Sequence, residues 1–136
     1  MAYSYWRIAV DPANPNNLIV GTKREWAWDQ MGLYKTEDNG RSFRRMDQTQ
    51  SPSELNSTDC ACQIVLDPDD PDTLYVVRHG GDEEGKTNWR KGFLYKSDDG
   101  GTTWNQLGAG QIEGGRPNLL MLSGGTTSSR ELLAAV

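Results

Sequence analysis

The sequence is short of positive charge, of histidine and cysteine, and of long apolar runs. Fourteen lysines and arginines face 19 aspartates and glutamates, a formal net charge of −5. Phosphate-rich partners are held by a basic face, so nucleic acid and anionic membrane surfaces are excluded as main partners. No apolar stretch approaches the roughly 20 residues of a membrane span, so no membrane partner is expected. The opening stretch from Met1 to Arg7 carries no basic segment followed by an apolar run, and no signal peptide is read in the chain as given. The two cysteines, Cys60 and Cys62, are one residue apart and His79 is the sole histidine. A C-x-C pair on a strand makes a poor disulfide, and a metal site would need further ligands. Buried free thiols are the expectation, with no metal and no cofactor.

What the sequence does have is turns, large aromatics and repetition. It contains 15 glycines and five tryptophans in 136 residues, a mix that suits a turn-rich β protein of one ordinary domain. The segment Ile8-Ala9-Val10-Asp11-Pro12, followed by an Asn/Pro cluster and Leu18-Ile19-Val20, recurs as Ile64-Val65-Leu66-Asp67-Pro68, a second cluster and Leu74-Tyr75-Val76. A second pattern follows each: Thr36-Glu37-Asp38-Asn39-Gly40-Arg41-Ser42-Phe43, then Ser97-Asp98-Asp99-Gly100-Gly101-Thr102-Thr103-Trp104. Both copies fit Ser/Thr-x-Asp-x-Gly-x-Ser/Thr-aromatic behind a Leu-Tyr pair. The first pattern is offset by 56 residues and the second by 61, and the difference falls in the segment between them. One unit is used twice, with one loop of variable length.

The second pattern, called the box below, reads as a hairpin turn. Asp38 and Asp99 can fold their carboxylates onto turn N–H groups. Gly40 and Gly101 supply a positive φ. The hydroxyls of Thr36, Ser42, Ser97 and Thr103 can tie the hairpin arms, and Phe43 and Trp104 are apolar anchors that need a neighbouring element to cover them. Each unit then reads as four strands. The first stops at Asp-Pro, since proline cannot donate to a ladder. The second runs from Leu18 or Leu74. The third lies around Leu33 to Lys35 or Phe93 to Lys96, and the fourth follows the box.

At these residues the chain resembles the Asp-box, or BNR repeat, of β-propellers in sialidases, xyloglucan-degrading glycoside hydrolases, sortilin-type receptors and a photosystem assembly factor. The resemblance implies an all-β fold of antiparallel four-stranded blades with Asp-box hairpins, here an incomplete propeller. The box implies a fold and not a reaction, because in that family it lies away from the ligand face. Blade one is expected at about 6–47, blade two at about 62–107 and a partial third blade at about 112–136. In the third, Arg130 to Val136 reads as a second strand, although Ser128-x-x-Glu131 is also a capping-box pattern that can open a helix. A propeller closes with four or more blades. Copies of the chain may therefore form a ring, a longer parent may supply the missing blades, or the chain may be a gene fragment. The apolar run from Leu132 to Val136 favours a truncated parent and also favours oligomerisation.

Function is sought in the loops between second and third strands and between blades. The first loop carries Arg24, Glu25, Trp26, Trp28 and Asp29; the second carries Arg78, His79, Asp82, Trp89 and Arg90; Asp59 lies between blades. Trp26, Trp28 and Trp89 beside Arg24, Arg78 and Arg90 suit a sugar-binding cleft, where rings stack on sugar faces and polar groups take hydroxyls. The tryptophans alternate with other residues and equally suit a packed hairpin face. Glycosidases use two carboxyl groups about 5–9.5 Å apart. Glu25, Asp29, Asp59 and Asp82 are the candidates, and no spacing selects a pair. The expected function is a non-catalytic module that binds glycan or a protein partner. The alternatives are a piece of a sialidase-like or xyloglucanase-like hydrolase and a self-assembling scaffold. The family resemblance allows a secreted or periplasmic location.

Overall fold

The computed structural model describes residues 4–23, 32–46, 61–79, 92–108, 119–126, 129 and 131–135. These residues form ten strands and no helix. The first sheet holds β1 (Ser4–Val10), β2 (Leu18–Lys23), β3 (Gly32–Thr36) and β4 (Arg44–Arg45) in the order of the chain. The second holds β5 (Ala61–Leu66), β6 (Leu74–His79), β7 (Gly92–Ser97) and β8 (Asn105–Leu107), also in chain order. A third sheet pairs β9 (Leu119–Leu122) with β10 (Leu132–Ala135). All neighbouring strands run antiparallel. The repeat extends to irregularities: the β1–β2 register shifts between Tyr5 and Arg7, and the β5–β6 register shifts at the equivalent Ala61 and Gln63.

Proline and aspartate end the first strand of each unit as expected. Asp11 Oδ1 accepts from Ala13 N at 2.8 Å and Asn14 N at 3.2 Å, and Asp67 Oδ1 accepts from Asp69 N at 2.9 Å. Backbone bonds from Asp11 N to the Asn17 carbonyl and from Asp67 N to the Thr73 carbonyl close the turns. The third unit repeats this closure with different residues. Ser123 N donates to the Glu131 carbonyl at 2.9 Å, and Glu131 N donates to Ser123 Oγ at 2.8 Å. The segment after it is the strand β10, not the helix that the capping-box pattern offered.

Each four-stranded sheet is apolar on both faces, because successive strand residues point to opposite sides. One face of the first sheet carries Ala9, Ile19, Leu33 and Met46. It packs on the face of the second sheet that carries Ile64, Leu66, Leu74, Val76, Tyr95 and Trp104, and together these make the main core. The opposite face of the second sheet, with Val65, Tyr75, Val77, Leu94 and Leu107, packs against Leu132 of the third sheet. The sheets are thus stacked in one direction, each with a leading face covered by the trailing face of the sheet before it.

Two sequence expectations change here. Arg78 and His79, read as loop, are the last residues of β6 and pair with Phe93 and Gly92 of β7. The ladder outlasts the apolar pattern because backbone pairing does not depend on which side chain is carried. The two box aromatics also differ. Trp104 is 4% exposed, whereas Phe43 is 49% exposed. Trp104 is covered by Met46 of the preceding sheet, whose Cε lies where a Cβ on Gly101 would have to sit. Phe43 occupies the same position on the first sheet, and no preceding sheet is present to cover it.

This asymmetry has a measurable consequence. Trp104→Ala is expected to lower unfolding stability by about 3–5 kcal/mol, as for other buried aromatics. Phe43→Ala should cost under roughly 1 kcal/mol, as for exposed positions. Urea unfolding at low protein concentration tests the pair; equal losses would contradict the one-directional stacking.

Candidate functional site

The meander divides each four-stranded sheet into two ends. The Asp-Pro turns and the boxes lie at one end. The connections leaving β2 after Lys23, β4 after Met46 and β6 after His79 depart from the other.

The turn end is built from the box residues. Asp38 Oδ1 accepts from Thr36 Oγ1 at 2.7 Å and from Ser42 N at 2.9 Å, and its Oδ2 accepts from Ser42 Oγ at 2.6 Å. Asp99 repeats the pattern with Ser97 Oγ at 2.8 Å, Thr103 N at 2.8 Å and Thr103 Oγ1 at 2.5 Å, and adds Thr102 N at 2.9 Å. The hydroxyls therefore clamp the aspartate between the arms and do not meet each other directly. Thr36 Oγ1 and Ser97 Oγ also accept from Gly40 N and Gly101 N, each at 2.9 Å.

Gly40 and Gly101 stand at φ 84° and 85°. The residue before each is also left-handed, Asn39 at φ 58° and Gly100 at φ 67°. Sequence reasoning singled out the second position only. The Asn-Gly and Gly-Gly dipeptides carried the signal for the first, since asparagine and glycine tolerate this region best. Their N–H groups tie the box to the Asp-Pro turn, from Asn39 to the Asn16 carbonyl at 3.0 Å and from Gly100 to the Asp72 carbonyl at 2.9 Å.

Charge at this end is held in pairs. Lys35 Nζ lies 3.1 Å from Glu37, and Lys96 Nζ lies 2.5 Å from Asp98. The hydrogen bond from Asp98 raises the Lys96 pKa against the opposing effect of burial. Asp38 is lowered to about 2, first by the Ser42 hydroxyl and then by the Ser42 N–H and Thr36. Burial pushes Asp99 upward, but the Thr103 hydroxyl and N–H, Ser97 and Thr102 together outweigh it and hold Asp99 at about 2. Burial likewise opposes the hydrogen bonds from Asn17, Ala13 and Asn14 at Asp11, which is held below the ordinary carboxylate range.

Between the two sheets, Asp11, Asn17, Ile19 and Lys35 face Leu66, Pro71 and Asp72 across a cleft of about 40 Å³. A water takes about 30 Å³ of liquid volume, so the cleft has room for a water and not for a sugar ring. Among the described residues, no three His, Cys, Asp or Glu side chains gather in a way that could hold a metal ion.

At the other end, Arg24, Glu25, Trp26, Trp28, Asp29, Asp59, Asp82, Trp89 and Arg90 lie outside the described residues, as does Cys60. Arg78 is placed by its backbone in β6, directly across from Phe93. Cys62 lies in β5, within the shifted register between Ala61 and Gln63.

No family model and no curated protein matches the sequence. Among solved structures the chain is similar to an ancestral GH74 enzyme, with a TM-score of 0.50 and 18% identity over 75% of this chain. The match spans 12% of the length of that enzyme. At that identity the likeness concerns the fold alone. The fold is all-β, made of four-stranded antiparallel propeller blades, with fewer among the described residues than the four or more that close a ring.

The box carboxylates predict an acid response. Both have folded pKa values of about 2, below the model value of 3.8. Their contribution is present above the unfolded pKa and is lost as pH falls from about 4 to about 2, because the unfolded chain then binds more protons. The urea midpoint should fall across this window, and Asp99→Asn should flatten the fall. A variant slope equal to that of the parent chain would remove Asp99 from the account.

Proposed function

We propose that the chain is an Asp-box β-propeller module that binds a glycan through the end opposite its boxes and performs no catalysis by itself. One observation carries the reading. The polar groups at the turn end are consumed by internal hydrogen bonds, and the only cleft described there is water-sized. Ligand contact is thereby left to the segments that join the other strand ends. Those segments carry Trp26, Trp28 and Trp89 with Arg24, Arg78 and Arg90 at or beside them. Indole faces stack on the apolar faces of sugars, while arginines donate to hydroxyls or carboxylates. A protein partner at the same surface is the neighbouring possibility, since exposed tryptophan and arginine also form the hot spots of protein interfaces.

A second reading, a piece of a glycoside hydrolase, draws on the fold likeness to the GH74 enzyme. It assigns Glu25, Asp29, Asp59 and Asp82 as candidate carboxylates, of which a glycosidase would need two across one bond.

Titration with soluble β-glucans and sialosides, followed by calorimetry, tests the first reading. Trp26→Ala with Trp28→Ala should weaken binding at least roughly tenfold, the equivalent of about 1.4 kcal/mol. Binding unchanged in the double variant would rule out the tryptophan cleft. Release of reducing sugar that disappears on amidation of one of the four carboxylates would instead support the hydrolase reading.

A further inference from the structure

The repeat supplies an internal control for every surface position. On the leading face of the second sheet, Ile64 is 8% exposed and Trp104 is 4% exposed. Their equivalents on the first sheet, Ile8 and Phe43, are 62% and 49% exposed, and Val10, the counterpart of the partly buried Leu66, is 50% exposed. The residue types are the same: an isoleucine, a second branched aliphatic and a large aromatic. Only the cover differs. In the second sheet the cover is the trailing face of the sheet before it, through Ile19, Leu33 and Met46.

The other end of the stack has the matching half. In β10, Leu132 packs toward the second sheet, and Leu133 points the other way and is 56% exposed. Leu122 pairs with Leu132 as Leu66 pairs with Leu74, which fixes the equivalence of the units. By it, Leu133 corresponds to Tyr75, a trailing-face residue of the second sheet. The chain therefore presents an uncovered leading face at one end and an uncovered trailing face at the other.

We propose that the face carrying Ile8, Val10 and Phe43 is a docking surface for a second copy of this chain, which seats the Leu133 side of its β9–β10 sheet there. The contact is head-to-tail and repeats between copies the stacking already present between the first and second sheets. A heterologous contact of this kind closes into a ring or extends as a filament, according to the rotation between copies. The surface is separate from the glycan-binding end, and neither proposal requires the other.

The test uses two single variants at exposed positions, Phe43→Glu and Leu133→Glu, with mass read by light scattering after size exclusion. The parent chain should exceed one chain in mass as its concentration rises toward roughly 100 µM, where weak interfaces become populated. Each variant alone should remain one chain, since each keeps one half of the contact. An equimolar mixture should give a discrete species of two chains, because the intact tail of Phe43→Glu fits the intact head of Leu133→Glu. Ile8→Glu should replace Phe43→Glu in that mixture, which guards against a folding defect in one variant, and circular dichroism melts confirm folding of each. A parent chain that stays monomeric throughout would overturn the proposal. So would a Leu133→Glu chain that still assembles by itself, which would mean that the leading face pairs with its own kind. Assembly that persists when glycan binding is abolished by Trp26→Ala and Trp28→Ala keeps the two proposals distinct.

Discussion

A β-sheet that is apolar on both faces needs a cover on both. In each unit Ile-x-Val or Ile-x-Leu on the first strand alternates with Ala9 or Val65, and the second and third strands match it residue for residue across the ladder. Neither face is polar enough to meet water over its whole width. Burial of apolar area, at about 25 cal/mol per Å², therefore acts between sheets rather than within them. Stacking in one direction is the consequence, and every other feature serves it. The box turn delivers a large aromatic to the leading face. The absence of a Cβ at Gly101 lets Met46 of the neighbouring sheet reach over Trp104.

The polar work at the turn end follows from the same demand. A chain that reverses twice per unit at one end must satisfy its turn N–H groups without water when those turns are partly enclosed. Asp11, Asp67, Asp38 and Asp99 do this with carboxylates, which accept several bonds each and hold their charge best when those bonds are made. The third unit shows that a serine can take over the first of these positions, with Ser123 closing its turn through its hydroxyl. Three turns that differ in sequence reach one closure, from the N–H of the residue after the first strand to the carbonyl that precedes the second.

What was legible in the sequence was local. Asp-Pro, the hydroxyl–Asp–Gly spacing and the repeat offsets declared turns, units and strand order, because each depends on bonds between residues a few positions apart. The exposure of Phe43 was not legible, since its side chain and that of Trp104 sit in nearly identical local surroundings and differ only in what lies beyond the sheet. The assignment of faces was not legible either. Ile8-Ala9-Val10 is apolar throughout, so alternation gives no sign of which side meets the next sheet. The extension of β6 through Arg78 and His79 escaped for a third reason: a backbone ladder continues under polar side chains that read as loop.

The same distinction explains why the strongest motif in the chain is silent about activity. A functional group must keep bonding capacity or apolar surface for something outside the fold. The box aspartates do not, because both oxygens of Asp38 and of Asp99 accept from within their own turn. Residues with capacity to spare fall where no local bonding pattern constrains them, in the connections at the far strand ends and on the two uncovered sheet faces. A tryptophan in a loop and an isoleucine on an outer strand carry no signature of their partner. Their meaning comes from comparison within the molecule: Ile8 is informative because Ile64, the same residue in the same place, is covered.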